Sequence, residues 1–169
     1  MKPLTKFFLV CALCVSSGAA HAALSCSVPS GVLLGFGTYD DSSPSVTNVS
    51  TGFSINCCVT GTPNPASGTI SISIGVSAHS GQINTRQMKN TANSDLMSYQ
   101  LYISSFGGTI WGNGVNGGSA YSQGVTVSKT CAGGGQSIVV GSAIFGSIFA
   151  QQAVSAGNYS DTLTISITP

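Results

Sequence analysis

Cys26, Cys57, Cys58 and Cys131 are the side chains of this sequence best equipped to do chemistry. That chemistry is either disulfide formation or the binding of a soft metal. A structural zinc site needs thiolates converging from paired knuckles or joined by a nearby His. Cys57 and Cys58 are adjacent, so on an extended chain they point to opposite faces and cannot close on one ion. The four therefore read as two disulfides, for which three connectivities are possible.

Acid–base chemistry has little to draw on. Beyond the first 22 residues the sequence holds a single imidazole, His79, together with Asp40, Asp41, Asp95, Asp161, Arg86, Lys89 and Lys129, and it has no Glu. His79 lies in the run Ala78-His79-Ser80-Gly81, which reads as an exposed loop. No Gly-x-Ser-x-Gly elbow is present to raise a nucleophile. Asp40-Asp41 precede Ser42-Ser43-Pro44 and read as a turn, since a calcium loop needs more oxygen ligands at alternating positions. Gly35-Phe36-Gly37 is followed by no helix whose N-terminus could cap a phosphate. No catalytic, cofactor-binding or metal-binding residue is expected, and the chain is not expected to be an enzyme.

The N-terminus carries a different signal. Lys2 and Lys6 precede an apolar run from Phe7 to Val15, and Ala20-His21-Ala22 supplies small residues where a signal peptidase reads. Residues 1–22 are expected to be a removed signal peptide, taking Cys11 and Cys14 with them, and residues 23–169 to form one domain. No later segment approaches the ~20 apolar residues of a membrane-spanning helix. With three cations against four acids, residues 23–169 have a net charge of −1. No basic stripe exists to neutralise phosphates, so nucleic acid is not an expected partner. Little charge repulsion keeps copies apart either.

The elements that must position the cysteines are strands. Phe53, Ile55, Cys57 and Val59 share one face by period-2 alternation, as do Ile70, Ile72, Ile74 and Val76, and Met97, Tyr99, Leu101 and Ile103. Shorter strands are expected at Ser25 to Val28, Val32 to Phe36, Gly124 to Ser128 and Ser137 to Phe145, with Gly112 to Gly118 and Ala132 to Gly135 as loops. The final stretch, Ala156 to Pro169, reads as one nearly unbroken strand. Tyr159, Leu163, Ile165 and Ile167 face one way, Ser160, Thr162, Thr164, Ser166 and Thr168 the other, and only Asp161 interrupts the apolar face. A strand so two-faced must lie on a core, and its outer edge must be covered, paired or left as an aggregation hazard. About seven or eight strands with Gly-rich turns point to an all-β, immunoglobulin-like antiparallel β-sandwich.

Several phrases occur in an order that resembles a known family. Cys26 is followed by Phe36-Gly37-Thr38-Tyr39-Asp40, then by Phe53-Ser54-Ile55-Asn56-Cys57, Arg86-Gln87-Met88 and Leu96-Met97-Ser98-Tyr99-Gln100-Leu101-Tyr102. Trp111-Gly112 comes next, and Ala156-Gly157-Asn158-Tyr159-Ser160-Asp161-Thr162-Leu163 closes the series. Together they resemble the spore coat protein U domain, the family that includes subunits of archaic chaperone-usher pili. The resemblance covers nearly all of residues 23–169.

The resemblance implies a sandwich that lacks its last strand. A chaperone first lends that strand, and the N-terminal extension of a neighbouring subunit later replaces it. Tyr159, Leu163, Ile165 and Ile167 would then form a strand-acceptor edge. The resemblance further implies a disulfide between Cys26 and Cys57, leaving Cys58 to pair with Cys131. Its implied partners are a periplasmic pilus chaperone, an outer-membrane usher and neighbouring subunits. Its implied route is export through the inner membrane to the periplasm and then the cell surface or medium. One departure stands out: only Ala23, Leu24 and Ser25 lie between the expected cleavage site and Cys26. A chain cut there is expected to accept a strand without donating one. The expected function is a non-enzymatic exported structural or adhesive protein assembled by strand complementation. The alternative is a self-contained secreted spore-coat or matrix protein that does not polymerise.

Overall fold

Alternation of apolar and polar side chains creates two-faced strands, and the computed structural model, which describes residues 22–28 and 31–169, shows how these are paired. Three strands meet in one antiparallel sheet: β1 (Ala23–Ser27), β3 (Ser54–Thr60) and β9 (Gln136–Val139), in the order β1-β3-β9. A second three-stranded sheet orders β12 (Ile165–Thr168), β4 (Ala66–Ile74) and β8 (Tyr121–Val127) as β12-β4-β8. The largest sheet contains β2 (Thr47–Thr51), β5 (Arg86–Asn90), β6 (Leu96–Ile103), β10 (Ile144–Ile148) and β11 (Tyr159–Ser160). Its order is β11-β5-β6-β10-β2, with β7 (Thr109–Ile110) also paired to β6. Every ladder between these strands is antiparallel.

The inward faces of all three sheets meet in one apolar cluster. Ile55 and Cys57 of β3, Ile70 and Ile72 of β4, and Tyr99 and Leu101 of β6 all belong to it. The two smaller sheets touch where β1 meets β4 and β12, an arrangement consistent with a β-sandwich. Trp111 lies at the centre, fully buried, and its indole Nε1–H donates to the Ile72 carbonyl at 2.9 Å. A buried indole needs such a partner.

Four expectations need correction. The closing stretch is not one strand: β11 pairs with β5 and β12 pairs with β4, so the chain changes sheets between Ser160 and Ile165. Ser137 to Phe145 likewise divides into β9 and β10, which belong to different sheets. Val32 to Phe36 is extended but joins no ladder. Val76 lies beyond the end of β4 and is exposed. In the first three cases period-2 spacing reported which face a residue takes, while the partner was set by the remainder of the chain; at Val76 the alternation outran the strand.

After Trp111 the backbone at Gly112 and Gly118 is packed too tightly for a side chain. A Cβ on Gly112 would overlap the Gly117 carbonyl oxygen, and Gly118 has a φ of +64°, a left-handed conformation that favours glycine. Gly112→Ala is expected to destabilise the fold by about 1–3 kcal/mol. Thermal unfolding followed by Trp111 fluorescence measures it, and an unchanged transition would show that this turn yields freely.

Candidate functional site

The chemistry-bearing side chains are mostly occupied in holding the fold. Cys26 and Cys57 stand directly opposite each other on β1 and β3 and are joined by a disulfide, and Cys58 is joined to Cys131 on the other face of β3. Cys131 lies in a 3-10 turn, Cys131–Gly133. Asp40 accepts hydrogen bonds from the backbone N–H and the hydroxyl of Ser42, which hold its carboxyl below the usual range and shape the turn. His79 is exposed. Among the described residues, no group of three or more His, Cys, Asp or Glu is gathered where a metal could sit.

What remains is an open groove of about 800 Å³. Its floor is apolar, formed by Met88 of β5, Met97, Tyr99 and Leu101 of β6, and Ile144 and Ile148 of β10. One wall is the extended segment 32–39, whose Val32, Leu34, Phe36 and Tyr39 turn inward while Leu33, 84% exposed, turns out. The other wall is the closing segment from Val154 to Ile165. Tyr159, Leu163 and Ile165 line the groove; Ile167 sits opposite Ile72 in the β12–β4 ladder and lies outside the lining.

Both walls carry unpaired backbone. Among the described residues, 32–38 make no backbone-to-backbone hydrogen bond. β11 and β12 are the terminal strands of their sheets, so each has one edge without a strand partner. The inward side chains are also unfinished. Val32, Leu34, Phe36, Leu163 and Ile165 are only half-buried, whereas Ile55 and Ile72, on strands paired at both edges, are 1% and 0% exposed. Free edges beside half-covered apolar side chains form a template for an added strand.

The walls run in opposite directions. Phe36 packs edge-on against Tyr99 with ring centroids 5.8 Å apart, and the Tyr99 hydroxyl donates to Asp161 Oδ2 at 2.7 Å, so Phe36 and Asp161 stand at one level. Farther along, the Tyr39 hydroxyl accepts from the Gln152 N–H at 2.7 Å. Going from 36 to 39 thus means going from 161 back to 152. A strand laid between them would be parallel to one wall and antiparallel to the other. Burial, and then the bond to Asp161, push the Tyr99 phenol above its ordinary pKa, so it remains a donor.

Sequence reasoning missed two parts of this site. It did not recognise 32–39 as a wall, although the alternation of Val32, Leu34 and Phe36 was a usable signal. It also missed β5, because Arg86 and Asn90 look like surface residues yet are fully or almost fully buried. The Arg86 guanidinium donates to Gln100 Oε1 at 2.6 Å, to the Gly75 carbonyl at 3.1 Å and to the Trp111 carbonyl at 2.8 Å. Burial lowers its pKa, and the neighbouring Tyr99 and Asp161 oppose that shift.

Comparison with known proteins gives one solved structure to report. It is described as "Chaperone-tip adhesin complex is vital for synergistic activation of CFA/I fimbriae biogenesis", and it is 13% identical with a TM-score of 0.44. The similarity covers 86% of this chain and 42% of that one, so this chain spans less than half of its length. A likeness that weak carries no functional weight. No curated protein matches the chain. The spore coat protein U domain model matches residues 10–166, a span that begins outside the described residues and runs through every strand from β1 to β11 and into β12. The chain belongs to the spore coat protein U domain family.

Proposed function

We propose that this protein is a non-enzymatic, exported surface protein of pilus-subunit type, whose domain is completed by an extended strand supplied by another chain. The observation that carries this reading is the groove: two antiparallel walls, each with a free backbone edge, over an apolar floor that no described segment covers. Family membership supports it. In this reading residues 1–22 are a removed signal peptide and residues 23–169 an immunoglobulin-like domain lacking one strand. A periplasmic chaperone fills the groove first, an usher takes the complex across the outer membrane, and a neighbouring subunit replaces the chaperone strand.

The N-terminus bears on the chain's place in such an assembly. Residues 23–27 are already committed to β1, paired with Thr60 back to Asn56 and tied through Cys26 to Cys57. A donor arm on this chain must therefore precede Ala23. Cleavage after Ala22 makes the protein an acceptor only, suited to a pilus end or an adaptor position.

The test is complementation. The full chain, exported into an oxidising periplasm and purified alone, is expected to aggregate or unfold without a sharp transition. A synthetic peptide of alternating apolar residues is expected to restore a cooperative one. At about 100 times its dissociation constant the peptide adds roughly 2.7 kcal/mol, or ~5–10 °C in Tm for a domain of this size. A monomer that unfolds sharply and reversibly without peptide, and gains nothing from it, defeats the reading.

A further inference from the structure

The inward-facing side chains of the groove's floor and closing wall are apolar except at one level. Asp161 stands in the inward-facing series Tyr159, Asp161, Leu163, Ile165 and lines the groove beside Tyr99. Its Oδ1 accepts from the backbone N–H of Ala78 at 3.0 Å and of Thr162 at 2.8 Å. Its Oδ2 accepts only from the Tyr99 hydroxyl, among the described residues. A carboxylate offers about four acceptor directions, so one is open. While the groove is empty, water can use it, because Asp161 is half-exposed. A strand laid across it would strip that water, and a buried carboxylate oxygen without a donor is costly.

The charge pattern of the groove points the same way. Asp41 and Asp161 line it, and no Lys, Arg or His among the described residues does. Arg86, whose charge acts on Asp161 from within the core, turns its terminal nitrogens to Gln100, Gly75 and Trp111, and its buried Nε–H has no partner among the described residues, so none of its donors reaches the carboxylate. The missing donor must therefore come from the occupant, which should bring no negative charge of its own.

We propose that the segment accepted by this groove is an extended chain without acidic residues whose inward apolar series is broken by one hydroxyl-bearing residue, Thr or Ser, donating to Asp161. The proposal rests on the groove being a strand-binding site and adds the chemistry of the strand. It also reverses the ordinary expectation for an apolar groove, in which Val outbinds the isosteric Thr at every inward position.

Competition binding with the full exported chain tests it. A labelled peptide of roughly nine residues, long enough to run the length of the walls, carries Val at every inward position and uncharged polar residues outward. Unlabelled competitors replace each inward Val in turn with Thr, and in a second series with Asp. The expected result is that Thr at one position tightens binding about fivefold, the range of a hydrogen bond to a charged group offset by the smaller apolar surface that Thr buries. Asp at that position should weaken binding by more than tenfold. If the Val peptide binds and Thr weakens it at every position, this inference falls while the strand-binding reading stands. If no peptide of either series binds, both fall.

Discussion

Arg86→Ala is expected to lower the stability of the domain by about 3–5 kcal/mol, the range for truncating a large buried side chain, here with the hydrogen bonds that it donates. The size follows from what the guanidinium joins. Arg86 projects from β5 of the large sheet and reaches Gln100 on β6, the Gly75 carbonyl just beyond β4 of a smaller sheet, and the Trp111 carbonyl. Truncation leaves three oxygens without this donor, all near a residue that is 0% exposed, and opens a cavity as large as the side chain. For a domain near 150 residues the loss corresponds to a fall in Tm of roughly 10 °C. Arg86→Lys should recover only part of it, because one ammonium cannot reproduce a planar fork aimed at three acceptors. Circular dichroism melts of the peptide-complemented protein measure the series. Equal stability of wild type and Arg86→Ala would show that the arginine is a passenger between the sheets.

Loss of the Cys26–Cys57 bond is expected to be comparably severe. Its residues are 31 apart in sequence, and loop-closure entropy for such a span amounts to roughly 3–4 kcal/mol. The bond also fixes β1, which is only five residues long and has β3 as its one ladder partner. Cys26→Ser with Cys57→Ala should therefore cost about 4 kcal/mol, and protease cleavage should move into the segment following β1. Limited proteolysis with mass mapping reads the second effect and a denaturant melt the first. Cutting first near Cys131 would locate the weak point at the other disulfide. That bond spans 73 residues but tethers a turn rather than a strand.

The fold was most legible where apolar spacing and burial agree. Phe53, Ile55, Cys57 and Val59 are all buried, as are Ile70, Ile72 and Ile74. Period two identifies a face whenever that face meets the core. It names no neighbour, so the closing segment looked like one strand although its halves belong to different sheets. β5 was illegible for the opposite reason: its inward series of Arg86, Met88 and Asn90 is mostly polar, and the hydrogen bonds that offset most of that burial, at the Arg86 terminal nitrogens and Asn90 Oδ1, are visible only in the fold. Of the groove, the wall carrying Tyr159, Leu163 and Ile165 could be read from spacing and resemblance. The opposing wall was legible only as an extended stretch, Val32 to Phe36, because alternation cannot tell a segment that joins no ladder from a paired strand.

That ladderless segment makes binding less entropically demanding than the size of the groove implies. Residues 32–38 run into a fixed post at Tyr39, which is hydrogen-bonded to Gln152 and followed by the Asp40 turn. Leu34 and Phe36 press into the space a side chain at Gly146 would fill, which further limits how far the segment can slacken. An arriving strand meets an edge already pinned at Leu34, Phe36 and Tyr39, so part of the loss of backbone freedom, about 1–2 kcal/mol per residue for a disordered edge, has been met during folding.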